Sequence, residues 1–164
     1  MTTDPGLADP AWPAASGFDP RVAAWFARRY GQPTDVQSAA WEHIAAGEHV
    51  LITAPTGSGK TLAAFLWALD QLASGRWPLG VTSVLYVSPL RALNNDIQRN
   101  LLAPLDELGV AFAQQGDPFP EVRVLTRSGD TPQVERQRML RRPPEILITT
   151  PESLNLLLAT ARGQ

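Results

Sequence analysis

The sequence predicts an α/β fold, a parallel β-sheet with helices on both faces and a Gly-rich loop leading into one of the helices. Three observations predict it. Short apolar runs alternate with helical patterns at the spacing of β–α–β units. A Gly-rich octapeptide, Ala54-Pro-Thr-Gly-Ser-Gly-Lys-Thr61, lies between one such run and an amphipathic stretch. The chain of 164 residues is 44% hydrophobic and 18% charged, the balance of a domain that buries a core.

The elements follow in order. Residues 1–17 are rich in Pro, Ala, Asp and Thr and read as a disordered leader. Asp19-Pro20 opens a short amphipathic helix, RVAAWFARRY, which Gly31-Gln32-Pro33 breaks. A second helix spans Asp35–Ala46, with Val36, Ala40 and Ile44 on one face and Gly47 after its end. His49–Ala54 is expected as a strand and Lys60–Ala73 as a helix with a nearly continuous apolar face. Val81–Ser88 is a strand of β-branched and aromatic type. Arg91–Leu108 is helical with a break expected at Pro104, and Gly109–Pro120 is a loop. Strands at Val122–Thr126 and Ile146–Thr150 bracket a charged helix at Gln133–Arg141, and Pro151 starts a last helix to Thr160.

Composition narrows the chemistry. There is no cysteine, which removes disulfides, thiolate metal sites and Cys nucleophiles. His43 and His49, the only histidines, lie six residues apart and share no helix face, so a zinc site is not expected. The formal net charge of −2 and pI of about 5.6 exclude holding nucleic acid by bulk positive charge. Any such contact must be local. The N-terminus has no secretory pattern and no run approaches a membrane span, so a cytoplasmic protein without a membrane partner is expected. The basic run Arg136, Arg138, Arg141, Arg142 reads as a solvated helix face, and Trp41 and Trp67 as packing.

Lys60 is the sole lysine among 14 Lys and Arg, and it stands where a phosphate-binding loop needs one. Gly57 and Gly59 let the backbone turn so that successive N–H groups face phosphate oxygens. The helix starting near Lys60 adds the positive end of its dipole. Lys60 neutralises the β- and γ-phosphates, and the Thr61 hydroxyl is a Mg²⁺ ligand. The nucleotide-binding set is therefore Ala54, Pro55, Thr56, Gly57, Ser58, Gly59, Lys60 and Thr61, with Lys60 and Thr61 also catalytic. Ala54 departs from the general pattern, which often has Gly there. The bland alternative is a Gly/Ser-rich strand-to-helix turn, which explains neither the Lys nor the Thr.

Four more segments stand around this loop: Pro33-Thr-Asp-Val-Gln37, Ser88-Pro-Leu-Arg-Ala-Leu-Asn-Asn-Asp96, Arg127-Ser-Gly-Asp-Thr131 and Thr149-Thr-Pro-Glu-Ser-Leu154. In order and spacing they resemble the motifs of superfamily 2 helicases of the DEAD/DEAH-box type, and within these the large helicase-related (Lhr) family of DNA helicases. The resemblance runs from Phe18 to nearly the C-terminus and implies a RecA-like P-loop NTPase domain. It implies that Gln37 reads the adenine of ATP, since a side-chain amide offers donor and acceptor together, with Phe18 or Phe26 covering the base. It also implies nucleic-acid contacts by Pro89 and Arg91, by Arg127 and Gly129, and by Thr150, Pro151 and Glu152. Each segment also has a structural reading: Gln37 as a polar residue near a helix start, Ser88–Asp96 as a capped helix start, and, compatible with nucleic-acid contact, Thr131 as an N-cap and Thr150 and Glu152 as parts of a capped helix. DNA is implied over RNA, and DNA repair as the setting.

The implied function is ATP binding and hydrolysis with Mg²⁺, coupled to unwinding or translocation. Hydrolysis also needs carboxylates for the metal and the attacking water. The only Asp-Glu pair, Asp106-Glu107, follows helix-like sequence rather than a strand and is rejected as that box. Residues 18–164 are accordingly expected to be the N-terminal part of the first RecA-like domain, with a sheet incomplete at its C-terminal end. The DExH box and a second RecA-like domain are expected in the rest of the protein, and this chain alone should bind nucleotide without turnover. The alternatives are a nucleotide-binding remnant and a P-loop NTPase that is not a helicase, such as a small-molecule kinase.

Overall fold

The computed structural model of the chain describes residues 17–89 and 91–161, with the side chains at 91–96, 99, 160 and 161 excepted. The expected leader, apart from Gly17, lies outside the described residues. The chain divides into two compact units, Met1–Asp70 and Gln71–Gln164.

The first unit carries helices α1 (Pro20–Tyr30) and α2 (Asp35–Ala45) and the start of α3 (Lys60–Ala73). Asp19 caps α1, its carboxylate accepting from Arg21 N–H at 2.9 Å and pairing with the Arg21 guanidinium at 2.8 Å. The Asp19 N–H donates to the buried carboxylate of Asp70 at 2.7 Å, which ties the entry of α1 to α3. Rings fill the core between the helices. Phe18 meets Trp41 and Trp67 edge-on with centroids 5.1 and 5.4 Å away, and Phe26 meets Trp41 at 5.4 Å. The Trp41 indole donates to Ala63 C=O at 3.0 Å, so this buried ring has its polar atom satisfied.

The expected strand at His49–Ala54 is not formed: residues 48–55 have no regular structure, and Leu51 is 92% exposed. A strand exists only through its ladder, and this apolar run has no paired neighbour among the described residues. Its composition suits a strand, but composition supplies no partner.

The second unit is a parallel three-stranded sheet with helices: β1 (Val84–Val87), α4 (Arg91–Ala113), β2 (Val124–Arg127), α5 (Gln133–Arg141), β3 (Ile146–Thr149) and α6 (Pro151–Ala161). The strand order is β1-β3-β2, with Ile146 beside Val84 and Val124, and Thr149 beside Val87 and Arg127. Ile146 and Ile148 on the central strand are fully buried, which is why this run is continuously apolar. The α/β class read from the alternation is the class observed.

Helix α4 packs against β2 and β3. It is not broken at Pro104 and runs on through Gly109 to Ala113, past the expected end at Leu108. Leu101, Leu105, Leu108 and Phe112 form one buried stripe at helical spacing. That stripe offsets the missing Pro104 N–H, and Phe119 from the following loop meets Phe112 edge-on at 5.3 Å.

A buried carboxylate joins the N-terminal ends of the three strands. Glu145, just before β3, accepts from Gly80 N–H at 2.7 Å, from Arg123 N–H at 2.8 Å and from the Arg123 guanidinium at 3.0 Å. Its backbone carbonyl takes the N–H groups of Ser83 and Val84, each at 3.0 Å. Burial pushes its pKa up, but these donors outweigh that and leave it below the usual carboxylate value.

Candidate functional site

In the first unit the segment from Ala54 turns sharply into α3, with Gly57 at φ 86° and Gly59 at φ 81°. Both lie in the left-handed region that glycine tolerates. Ser58 N–H closes a turn on Pro55 C=O at 3.3 Å, and Gly59 C=O takes the first bond of α3 from Ala63 N–H at 2.9 Å. The Lys60 ammonium donates to Ala54 C=O and Pro55 C=O, both at 2.6 Å. It has no carboxylate partner among the described residues. Thr56 is exposed in the loop, and Thr61 is exposed in the first turn of α3.

Gln37 lies beside this loop although 22 residues separate it from Gly59. Its side chain is 5% exposed. Its amide oxygen accepts from Thr34 N–H at 3.0 Å while the Thr34 hydroxyl accepts from Gln37 N–H at 3.3 Å, a capping box at the start of α2. The amide nitrogen donates to Gly59 C=O at 3.4 Å, and the Thr34 hydroxyl donates to Ser58 C=O at 3.3 Å. A Cβ at Gly59 would collide with that amide nitrogen, so Gly59 serves the approach of Gln37 as well as the turn. Phe18 and Phe26 are 6% and 0% exposed within the aromatic core, and neither is a surface ring free to cover a base.

These residues fit a phosphate chain. Ser58 Oγ is buried with no hydrogen-bond partner among the described residues, and Lys60 brings a cation held only by carbonyls. Two left-handed glycines and a helix start complete an anion cradle. For a divalent cation, the Thr61 hydroxyl is the ligand the chain offers here. Among the described residues no group of three or more His, Asp or Glu is placed to hold a metal.

In the second unit the parallel strands all end at one edge, which gathers three of the sequence-singled segments. Thr149 is in register with both Val87 and Arg127. Ser88 N–H donates to Thr149 C=O at 3.0 Å, and the Thr149 hydroxyl donates to Arg127 C=O at 2.8 Å. Thr150 is buried and caps α6, its hydroxyl accepting from Ser153 N–H at 3.4 Å and meeting Ser153 Oγ at 3.2 Å. Pro151 opens that helix, and Pro89, Gly129, Pro151 and Glu152 are all exposed along the edge. Arg91 begins α4 there, but its side chain lies outside the described residues. In open α/β sheets this edge, with its converging helix N-termini, is where anionic ligands are taken.

The 127–131 loop differs from the expectation at two residues. Thr131 does not cap α5, where Pro132 holds the cap position; its hydroxyl accepts from Ser128 N–H at 2.9 Å and closes the loop on itself. Arg136 is half-buried rather than part of a solvated face, and its guanidinium donates to Thr131 C=O at 2.8 Å, Gly129 C=O at 2.7 Å and Ser128 C=O at 3.3 Å. Arg127 is half-buried, and both burial and the nearby Arg136 charge lower its pKa from the usual arginine value. Sequence reasoning passed over Arg136 because a basic run on a charged helix looks the same whether or not one member turns inward.

The model of the DEAD/DEAH box helicase family matches residues 34–164. An Lhr helicase and probable uracil glycosylase of Mycolicibacterium smegmatis is 50% identical over 145 residues, which cover 88% of this chain and 10% of that protein. The ATP-dependent helicase Lhr-Core of Saccharolobus solfataricus is 48% identical over 150 residues, covering 87% of this chain and 16% of that protein. A solved structure of the Mycobacterium smegmatis helicase Lhr bound to ssDNA and AMP-PNP has a TM-score of 0.82 and 49% identity, covering 88% of this chain and 18% of that one. The chain thus spans a small part of the length of the relatives it matches. On the phosphate loop, the strand-edge motifs and a family match over most of its length, this chain belongs to the DEAD/DEAH box helicases and is similar to the Lhr helicases among them.

Proposed function

We propose that this chain is the ATP-binding part of a DNA helicase or translocase, taking the phosphates of Mg-ATP at Ala54–Thr61 and a DNA strand at the C-terminal edge of the three-stranded sheet. The observation that carries the proposal is Lys60, a cation held only by two loop carbonyls beside two left-handed glycines. An entering phosphate replaces those carbonyls with a charge-assisted pair. DNA over RNA is supported by the Mycobacterium smegmatis helicase bound to ssDNA. Gln37 reads adenine in this proposal, which requires its amide to exchange the Thr34 and Gly59 contacts for the base. The Thr61 hydroxyl is the metal ligand from this chain. Hydrolysis requires further carboxylates, and binding without turnover is what this chain alone should show.

A fluorescent ATP analogue, titrated against the chain, tests the assignment. Lys60→Ala should weaken binding by about 100-fold, the scale of a lost charge-assisted pair. GTP should compete less well than ATP, and Gln37→Ala should narrow that difference. Equal competition by GTP and ATP in the unsubstituted chain would remove the adenine role of Gln37. Phosphate release abolished by Lys60→Ala would overturn the claim of binding without turnover.

A further inference from the structure

The side of the 128–131 loop that faces α5 is made of carbonyl oxygens, and one guanidinium gathers them. Arg136 reaches Ser128, Gly129 and Thr131 C=O with two of its nitrogens, while Thr131 N–H donates to Ser128 C=O at 3.2 Å. No peptide bond among the described residues is cis. In a trans peptide the C=O and the following N–H point in opposite directions. Drawing Ser128 C=O toward Arg136 therefore turns the Gly129 N–H outward, and that N–H has no partner among the described residues. The Arg127 guanidinium likewise makes no hydrogen bond among the described residues, and neither Arg127 nor Arg136 has a carboxylate partner there. The loop thus combines the Arg127 guanidinium, without a carboxylate partner among the described residues, with an outward peptide donor, and an anion is the species that completes this set.

We propose that Arg136 is a positioning residue, whose fork on three loop carbonyls aims the Gly129 N–H and the Arg127 guanidinium at a single phosphate of the bound strand. The inference rests on the nucleic-acid reading of this edge and adds to it the residue that holds the contact in place. Arg136 is spent on the carbonyls and does not itself meet the phosphate. The fork requires a planar guanidinium, so charge alone should not substitute for it.

Fluorescence anisotropy with a labelled oligo-dT strand, repeated across a salt series, tests this in the chain as it stands. Arg136→Gln and Arg136→Lys should both weaken binding by about tenfold, the scale of one charge-assisted hydrogen bond. Neither should change the slope of log affinity against log salt. Arg127→Ala should weaken binding and reduce that slope by about 1, as loss of a phosphate contact does. Adding Arg136→Gln to Arg127→Ala should cost less than it does alone. Thermal unfolding of each variant checks that the fold persists, and Arg136→Lys serves should Arg136→Gln not fold. Full affinity in Arg136→Lys overturns the proposal, because charge then suffices. A reduced slope in Arg136→Gln also overturns it, because Arg136 then contacts phosphate directly. No oligo-dT binding by the unsubstituted chain defeats the nucleic-acid reading and this proposal with it; normal binding with an unaffected Arg136→Gln defeats the proposal alone.

Discussion

Gly57 and Gly59 have nearly the same backbone, at φ 86° and 81°, yet different surroundings. A Cβ at Gly57 meets nothing within 4 Å, while one at Gly59 collides with the Gln37 amide. Alanine at either position carries the left-handed penalty of about 1–2 kcal/mol. Alanine at Gly59 must also displace the end of the Gln37 side chain, which breaks its brace on the Gly59 carbonyl and disturbs the capping box of α2. Gly59→Ala is therefore expected to weaken ATP-analogue binding at least tenfold more than Gly57→Ala. The effects of Gly59→Ala and Gln37→Ala should be strongly non-additive, whereas Gly57→Ala and Gln37→Ala should add. A double-mutant cycle read by nucleotide affinity checks this, and additive behaviour at Gly59 would remove the brace. The eight-residue loop was legible in the sequence because its spacing encodes backbone conformation directly. The double employment of Gln37 was not, since it depends on which atoms the fold sets around one amide.

Helix α4 and strand β2 show how tertiary contacts override local propensity. Pro104 and Gly109 both argue for ending the helix, and both are right about local cost. The buried stripe of Leu101, Leu105, Leu108 and Phe112 outweighs them. The same helix protects the sheet. β2 lies at one edge of the β1-β3-β2 order, and Gln98 of α4 donates to Val124 C=O and accepts from the Thr126 hydroxyl, both at 3.0 Å. An edge strand with one of its outward carbonyls taken and a helix side chain lying along it is a poorer template for pairing with another chain. Gln98→Ala should destabilise the chain by about 1–2 kcal/mol, the scale of two hydrogen bonds at a half-buried site. It should also raise thioflavin T signal on mild heating. An unchanged urea midpoint would show that water replaces Gln98 without loss. Strand identity in this unit was readable from apolar runs, but the edge position of β2 and its protection by Gln98 were not, because sheet order is a long-range property. At His49–Ala54 the same limit acted in reverse, where a strand-like run has no described neighbour to pair with.

At the scale of the whole molecule the two ends of the parallel sheet differ in chemistry. The C-terminal ends of the strands present exposed or half-buried groups at Pro89, Arg127, Gly129 and Pro151. The N-terminal ends converge on Glu145, 1% exposed and fully engaged. A parallel sheet can separate a binding end, here the proposed strand site, from a stabilising end in this way, because all its strands run in one direction. The separation has a pH signature. Glu145 in the folded chain has a pKa below the ordinary carboxylate value, so the folded state favours its ionised form. That stability is fully present above the unfolded value, about 4.3, and is lost as pH falls through the depressed folded value. Glu145→Gln keeps the shape but gives Gly80 N–H, Arg123 N–H and the Arg123 guanidinium at best a neutral acceptor, leaving the half-buried Arg123 charge uncompensated. The substitution should cost about 3 kcal/mol at pH 7, as breaking a buried pair does. The difference between wild type and variant should shrink as pH falls below about 4, since protonation then removes the same charge from the wild type. Urea unfolding at a series of pH values measures both. A difference that stays constant from pH 7 into the acid range would mean that the cost comes from setting an amide N–H₂ against these donors rather than from losing the charge, and the charge at the base of the sheet would then have no part in holding the strands in register.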